Sequence, residues 1–407
     1  MESLGWKQKP STAKIISGEF MKTGKLIISL LLAASMLAGC GSSQAAAASS
    51  APAETTAAIE TTAAVEDTGS VTITDHAGRT VTVPTNPKKV VVADIYPLAS
   101  VLTVYLNSCD SIIAMEPTSM SAAKNGVLSQ LYPDIVNVDT EILNGDDLNV
   151  EAVAALEPDI VYYNAGNSSE AEMLENAGLT AIGFSPTKFN YDCIETFNQW
   201  IALLDQIYPG TAGSRTTLAS DTATKVYNEV SSRVQDLADD QKQTVLFLFQ
   251  YDDTKMVTSG SNFFGQWWCD AVGALNAANE IPAENKNAAI TMEQVYAWNP
   301  DVIILTNFTP TKPEDLYNNA VGSDDWSSVK AVQDKRVYKM PMGTYRSYTP
   351  SVDTPMVLEW MAQVVYPDLF SDYDIDADVK AYYQDVFGVS LTDDQISMMY
   401  PSTTAGN

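Results

Sequence analysis

Histidine is almost missing from this chain of 407 residues: there is one, His76, and the four cysteines stand far apart at positions 40, 109, 193 and 269. A zinc cage needs more such ligands at closer spacing, and a Ser-His-Asp triad would have a single imidazole to draw on. Basic residues are scarce as well, 23 against 51 acidic ones, for a formal charge of −28. That balance excludes a nucleic-acid partner, whose phosphates need a basic face. No GxSxG, P-loop or HExxH run occurs either. A carboxylate-dependent extracellular hydrolase survives this filter, because paired acids carry no short motif. What the chain does have is 45% hydrophobic residues, enough to bury a core over two or three domains of ~150 residues each.

Long apolar runs are lacking too, with one exception. Lys22 and Lys25 precede LIISLLLAASMLAG, Leu26 to Gly39. At 1.5 Å per residue it reaches only ~21 Å, short of the ~30 Å hydrocarbon core, so it reads as a signal peptide over residues 1–39. The charged and apolar pattern places the expected start of the signal at Met21, which would make 1–20 an upstream mis-start. The run ends in Leu37-Ala38-Gly39-Cys40, which resembles a bacterial lipobox and makes Cys40 the expected lipidated N-terminus. Removing 1–39 takes away five lysines and two glutamates, so the mature charge is −28 − 3 = −31. A chain this acidic gains nothing from anionic headgroups, and two acyl chains suffice for stable anchoring. Residues 40–70, rich in Ala, Ser and Thr, form a flexible linker. Cys109, Cys193 and Cys269 are an odd number, expected to be buried structural thiols.

From Val71 the sequence alternates short β-rich runs with helical stretches, the pattern of an α/β protein with mainly parallel strands. Val-Thr-Ile-Thr, a turn at Asp75 to Arg79, and Thr-Val-Thr-Val predict a hairpin, with His76 in a turn and no functional role. Asn149 to Val161 matches Thr291 to Ile303, with Glu, Val, Ala, Pro and Asp recurring 142 residues apart (293 − 151). Each copy predicts a short helix, a proline stop and a buried strand, hence two lobes of similar build. Between them, Leu218, Thr222, Val226, Val230, Val234 and Leu237 predict one long helix from about 212 to 238. The expected organisation is an N-terminal lobe over 71–210, the helix over 211–240, and a C-terminal lobe over 241–407.

Four segments carry a wider resemblance: Asp75-x-x-Gly78-Arg79 through Pro87-Lys88-Lys89-Val90, the two repeats, and Trp326 through Tyr338. In this order, after a lipobox, they resemble the substrate-binding lipoproteins of ABC importers that handle iron–siderophore complexes, haem and corrinoids. The resemblance implies two Rossmann-like lobes joined by a single long helix, with no enzymatic activity and no cofactor. It implies a monomer tethered to the outside of the cell membrane, with an ABC permease and its ATPase as partners. It also implies that Glu151 and Glu293, one per lobe, dock on the permease.

Ligands of open α/β sheets sit beyond the carboxyl ends of the strands. Those ends give Tyr96, Asn164, Gln250, Phe263, Trp267, Asn307, Tyr345, Arg346 and Tyr348 as candidate binding residues. Aromatic walls suit a bulky, partly apolar metal complex, and Arg346 between two tyrosines suits a carboxylate or oxyanion. The expected solute is an iron chelate, with corrinoid, haem or an oxyanion such as molybdate as alternatives. With one histidine, no bare metal site is expected.

Overall fold

The computed structural model describes residues 69–211, 213–281 and 287–402. The signal segment, Cys40 and the linker to residue 68 lie outside the described residues. The predicted hairpin forms from β1 (Ser70–Thr74) and β2 (Thr80–Pro84), paired antiparallel. It is pinned to the first lobe by Asp75, whose carboxylate accepts from the Gly183 N–H and pairs with Arg79 at 2.7 Å. His76 belongs to the same tie: its Nδ1 accepts from the Ser185 N–H at 3.1 Å. Burial and nearby Lys188 lower its pKa to about 4, so the ring is neutral.

The first lobe is built on β3 (Val90–Val92), β4 (Ile112–Met115), β7 (Ile160–Asn164) and β8 (Ala181–Phe184), all parallel in the order β4-β3-β7-β8. A two-residue pair, β5 (Leu143–Asn144) with β6 (Asp147–Leu148), decorates it. The second lobe has a separate sheet, β12-β10-β9-β13-β14, with β11 also on β9. Its strands are β9 (Thr244–Tyr251), β10 (Met256–Ser259), β11 (Leu275–Asn276), β12 (Asn287–Ala289), β13 (Val302–Leu305) and β14 (Val337–Lys339). The strands β9, β11, β13 and β14 run parallel; β10 runs against β9, and β12 runs against β10 and so again in the direction of β9. Strands β3 and β13 are apolar throughout and fully buried, as sheets covered on both faces require.

The repeat is structural. Helices Val150–Ala155 and Met292–Trp298 each stop at a left-handed residue just before the proline, Glu157 (φ 51°) and Asn299 (φ 42°), and lead into β7 and β13. The aspartate after each proline has the same task in both lobes. Asp159 accepts from the Lys88 and Lys89 N–H groups, and Asp301 from the Thr244 N–H, so each fixes the start of the neighbouring strand.

One long helix connects the lobes, Ser214–Val234, shorter at both ends than the periodicity suggests. Gly213 opens it because a Cβ there would meet the Tyr105 ring at 2.4 Å. The helix packs on Leu98–Leu106 and Cys193–Ile207 of the first lobe and on Thr354–Val365 and Ile375–Phe387 of the second. A single apolar core therefore runs through both lobes around it. Cys109, Cys193 and Cys269 are free and buried, and burial pushes their thiol pKa values up.

Candidate functional site

In each sheet the chain order changes direction once, between β3 and β7 in the first lobe and between β9 and β13 in the second. A crevice opens at the carboxyl end of such a switch point, where the loops on either side leave in opposite directions.

The first-lobe switch point is polar and acidic. Asp94 follows β3, Glu116 follows β4, and Asn167 and Glu170 follow β7. The Asn167 amide donates to Asp94 Oδ2 at 3.4 Å and to Glu170 Oε2 at 3.1 Å, which draws the two carboxylates together. Glu116 and Glu170 are buried, and Glu170 Oε1 accepts no hydrogen bond of ordinary geometry. Burial, and then the Asp94 charge, push both glutamates up to about 7. Tyr96 stands in the same group, its hydroxyl raised by burial and then by Glu116 and Asp94.

The second-lobe switch point is aromatic. Phe249 from β9 lies 4.9 Å from Phe308 after β13, and Phe263 and Tyr348 close the cluster around Phe249 at 6.0 and 5.4 Å. The Arg346 guanidinium lies 4.9 Å from the Phe308 centroid and 5.9 Å from that of Tyr345. A cation held over a partly desolvated ring gains ~0.5–2 kcal/mol, so Arg346 is positioned before any ligand arrives. Tyr345 is 2% exposed. Its hydroxyl makes no hydrogen bond of ordinary geometry, and burial pushes it up to about 12 against the nearby Arg346 charge. Asn307 donates to the Met340 carbonyl at 2.8 Å, leaving its own buried oxygen without a donor.

The two switch points face each other. Tyr345 is within electrostatic reach of Glu116 and Tyr96. Val127 of the first lobe donates its N–H to the Gly343 carbonyl at 3.0 Å. A Cβ on Gly126 would stand 2.3 Å from that carbonyl, so the approach requires glycine there. Tyr191 crosses as well, 5.1 Å from Phe263.

Of the residues expected from the sequence, the structure gathers Tyr96, Phe263, Asn307, Tyr345, Arg346 and Tyr348 around this cleft. Tyr348 is wholly buried, its hydroxyl accepting from the Gly265 N–H, so it supports the wall from behind. Asn164 caps its own turn by accepting from the Gly166 N–H. Gln250 sits in the ladder opposite Val257, and Trp267 packs half-buried against Trp268 and the core. Glu116 and Glu170 escaped the sequence reading. The strand Ile112–Met115 that aims Glu116 is only four residues long, and Glu170 looks like any acidic residue in a helix's first turn. Glu151 and Glu293 are both exposed in the first turns of the two repeated helices. The Thr291 hydroxyl holds the Glu293 carboxyl below its ordinary range.

Among the described residues no group of three or more His, Cys, Asp or Glu could hold a metal ion, and no helix is long and apolar enough to cross a membrane. A surface depression of about 700 Å³ lies elsewhere, lined by Gln363, Asp372, Tyr373 and Tyr400. It collects no convergent charged groups from both lobes, and the cleft between the switch points is the better candidate on chemistry.

Comparison with known proteins gives consistent relatives. The profile of a family described as periplasmic binding protein matches residues 55–343. The molybdate-binding protein MolA of Haemophilus influenzae is 26% identical, over 79% of this chain and 92% of its own. An uncharacterized ABC transporter substrate-binding lipoprotein of Bacillus subtilis, YvrC, is 24% identical, over 84% and 97%. A solved periplasmic solute binding protein from Veillonella parvula superposes with a TM-score of 0.69 at 28% identity, over 81% and 97%.

Proposed function

The chain belongs to the periplasmic binding protein family, and from that premise we propose that it captures an iron chelate between its lobes, outside the cell, and hands it to a membrane permease. It is the substrate-binding component of an ABC importer and not an enzyme, as its relatives are. Tethering through Cys40 agrees with the lipoprotein relatives. The observation that carries the choice of solute is the aromatic wall of Phe249, Phe263 and Phe308 with Arg346 stacked on it. Large rings with a few fixed polar groups fit a bulky complex whose metal is already fully ligated, so the protein need supply no metal ligands of its own. Glu151 and Glu293, exposed at equivalent places in the two repeats, serve as the docking points for the permease, whose ATPase completes the importer.

An oxyanion is the second reading, favoured by the molybdate-binding relative and by Arg346. The experiment that separates them titrates the full chain in detergent with ferric hydroxamates, ferric catecholates, haem, cobalamin and molybdate, following tryptophan fluorescence. Saturable quenching by a ferric chelate is expected. Saturation by molybdate alone would transfer the assignment to the oxyanion, and silence across the panel would remove it.

A further inference from the structure

The two walls of the cleft differ in charge, and the difference bears on which solutes fit. On the first-lobe side Asp94, Glu116 and Glu170 act on one another as like charges, and no lysine, arginine or histidine is among the groups that act on Glu116 or Glu170. Glu170 is 4% exposed and Glu116 6%, so water screens this wall poorly. Among the described residues placed around the cleft the cationic group is Arg346, which stands on the opposite wall. Three further observations point to a ligand. Glu170 Oε1 is buried without a donor of ordinary geometry, and the Tyr345 hydroxyl, from the other lobe, is buried without a proper partner while facing Glu116 and Tyr96. The buried Asn307 oxygen is an acceptor without a donor as well. Acceptors thus prevail, and a buried acceptor left unmade costs ~1–3 kcal/mol. A fully deprotonated oxyanion offers only more acceptors and more negative charge.

We infer that the first-lobe wall of Asp94, Glu116 and Glu170 receives a cationic, hydrogen-bond-donating group on the ligand, such as the pendant ammonium of a ferric hydroxamate, while Arg346 takes acceptor oxygens at the other end. The inference rests on the chelate-binding reading above and narrows it to a charge class. The carboxylates act as charges and acceptors for an organic cation, not as metal ligands, since they form no metal-holding group. Titration sets a pH dependence. Glu116 faces Asp94, Tyr96 and Tyr345, and Glu170 faces Asp94, Glu116, Asn167 and Tyr163. Both glutamates gain a proton as pH falls through about 7, so the wall loses negative charge and its hold on a cation.

The test uses ferric desferrioxamine B, which carries one free ammonium, beside its N-acetylated neutral form and molybdate, by calorimetry on the full chain in detergent. At pH 8 the cationic chelate is expected to bind at least tenfold more tightly than the neutral one. That ratio should shrink several-fold at pH 5.5 and in the double variant E116Q/E170Q. Equal affinity for the two chelates, tighter binding of the acetylated one, or no binding of either overturns the inference. If a ferric catecholate or haem binds in that last case, the import reading stands without it. Tighter binding of molybdate overturns both. The comparison of charged and neutral chelate needs no variant, so a folding defect in E116Q/E170Q cannot mask the outcome.

Discussion

Glu170 is held in the cleft at the expense of its own ionisation. Its folded pKa, about 7, lies above the ordinary value of 4.5. Stability from the protonated form is therefore fully present below pH 4.5 and lost as pH rises through about 7. Glu170→Gln removes that loss. Its melting temperature should exceed the wild-type value at pH 8 and converge with it near pH 4.5, by calorimetry; a deficit of the same size at both pH values would contradict the assignment. His76 works in the opposite sense, since its neutral form is required in the fold and its contribution fades as pH falls from 6.5 through about 4. Its place in a turn was legible, whereas its structural tie to Ser185 was not, because that partner lies 109 residues away. Arg346 was legible as an isolated cation between tyrosines, but the ring it stacks on, Phe308, becomes its neighbour only through the parallel pairing of β13 and β14.

The repeated helix–proline–strand unit was the most legible feature of the fold, because the glutamate and proline answer to a local requirement. Glutamate favours a helix's first turn and proline ends the helix, whereas the aspartate caps the start of the neighbouring strand, 57 residues earlier for Asp301 and 71 for Asp159. The first of these roles does not need the glutamate to be identical in both copies, which is why docking is proposed for Glu151 and Glu293. An exposed ion pair contributes only ~0.2–1 kcal/mol, so two of them set register more than affinity. The double variant E151A/E293A should lower uptake into cells while leaving the solution affinity for the chelate unchanged. A fall in affinity measured by calorimetry would place these carboxylates in the binding site instead. The segment after Asp372 supports the site from behind. Tyr383 on Ile375–Phe387 donates to the buried Asp353 carboxylate, which also accepts from the Thr344 N–H and hydroxyl at 2.7 and 2.6 Å. That network fixes the loop bearing Tyr345 and Arg346, and no pattern in the sequence announces the contact between Tyr383 and Asp353, 30 residues apart.

On the scale of the whole molecule, two open sheets are turned so that their switch points meet, and one helix with a shared core holds them at that angle. A rod packed along its length by helices from both lobes permits a small hinge rather than a wide opening. The Val127–Gly343 hydrogen bond and the close passage at Gly126 mark where the lobes touch. The most direct measurement is a crystal structure of the protein saturated with the chelate selected by titration. The account predicts the chelate between Phe308 and Arg346 on one side and Asp94, Glu116 and Glu170 on the other. A chelate seated in the depression beside Asp372 and Tyr400, with the cleft unchanged, would contradict it.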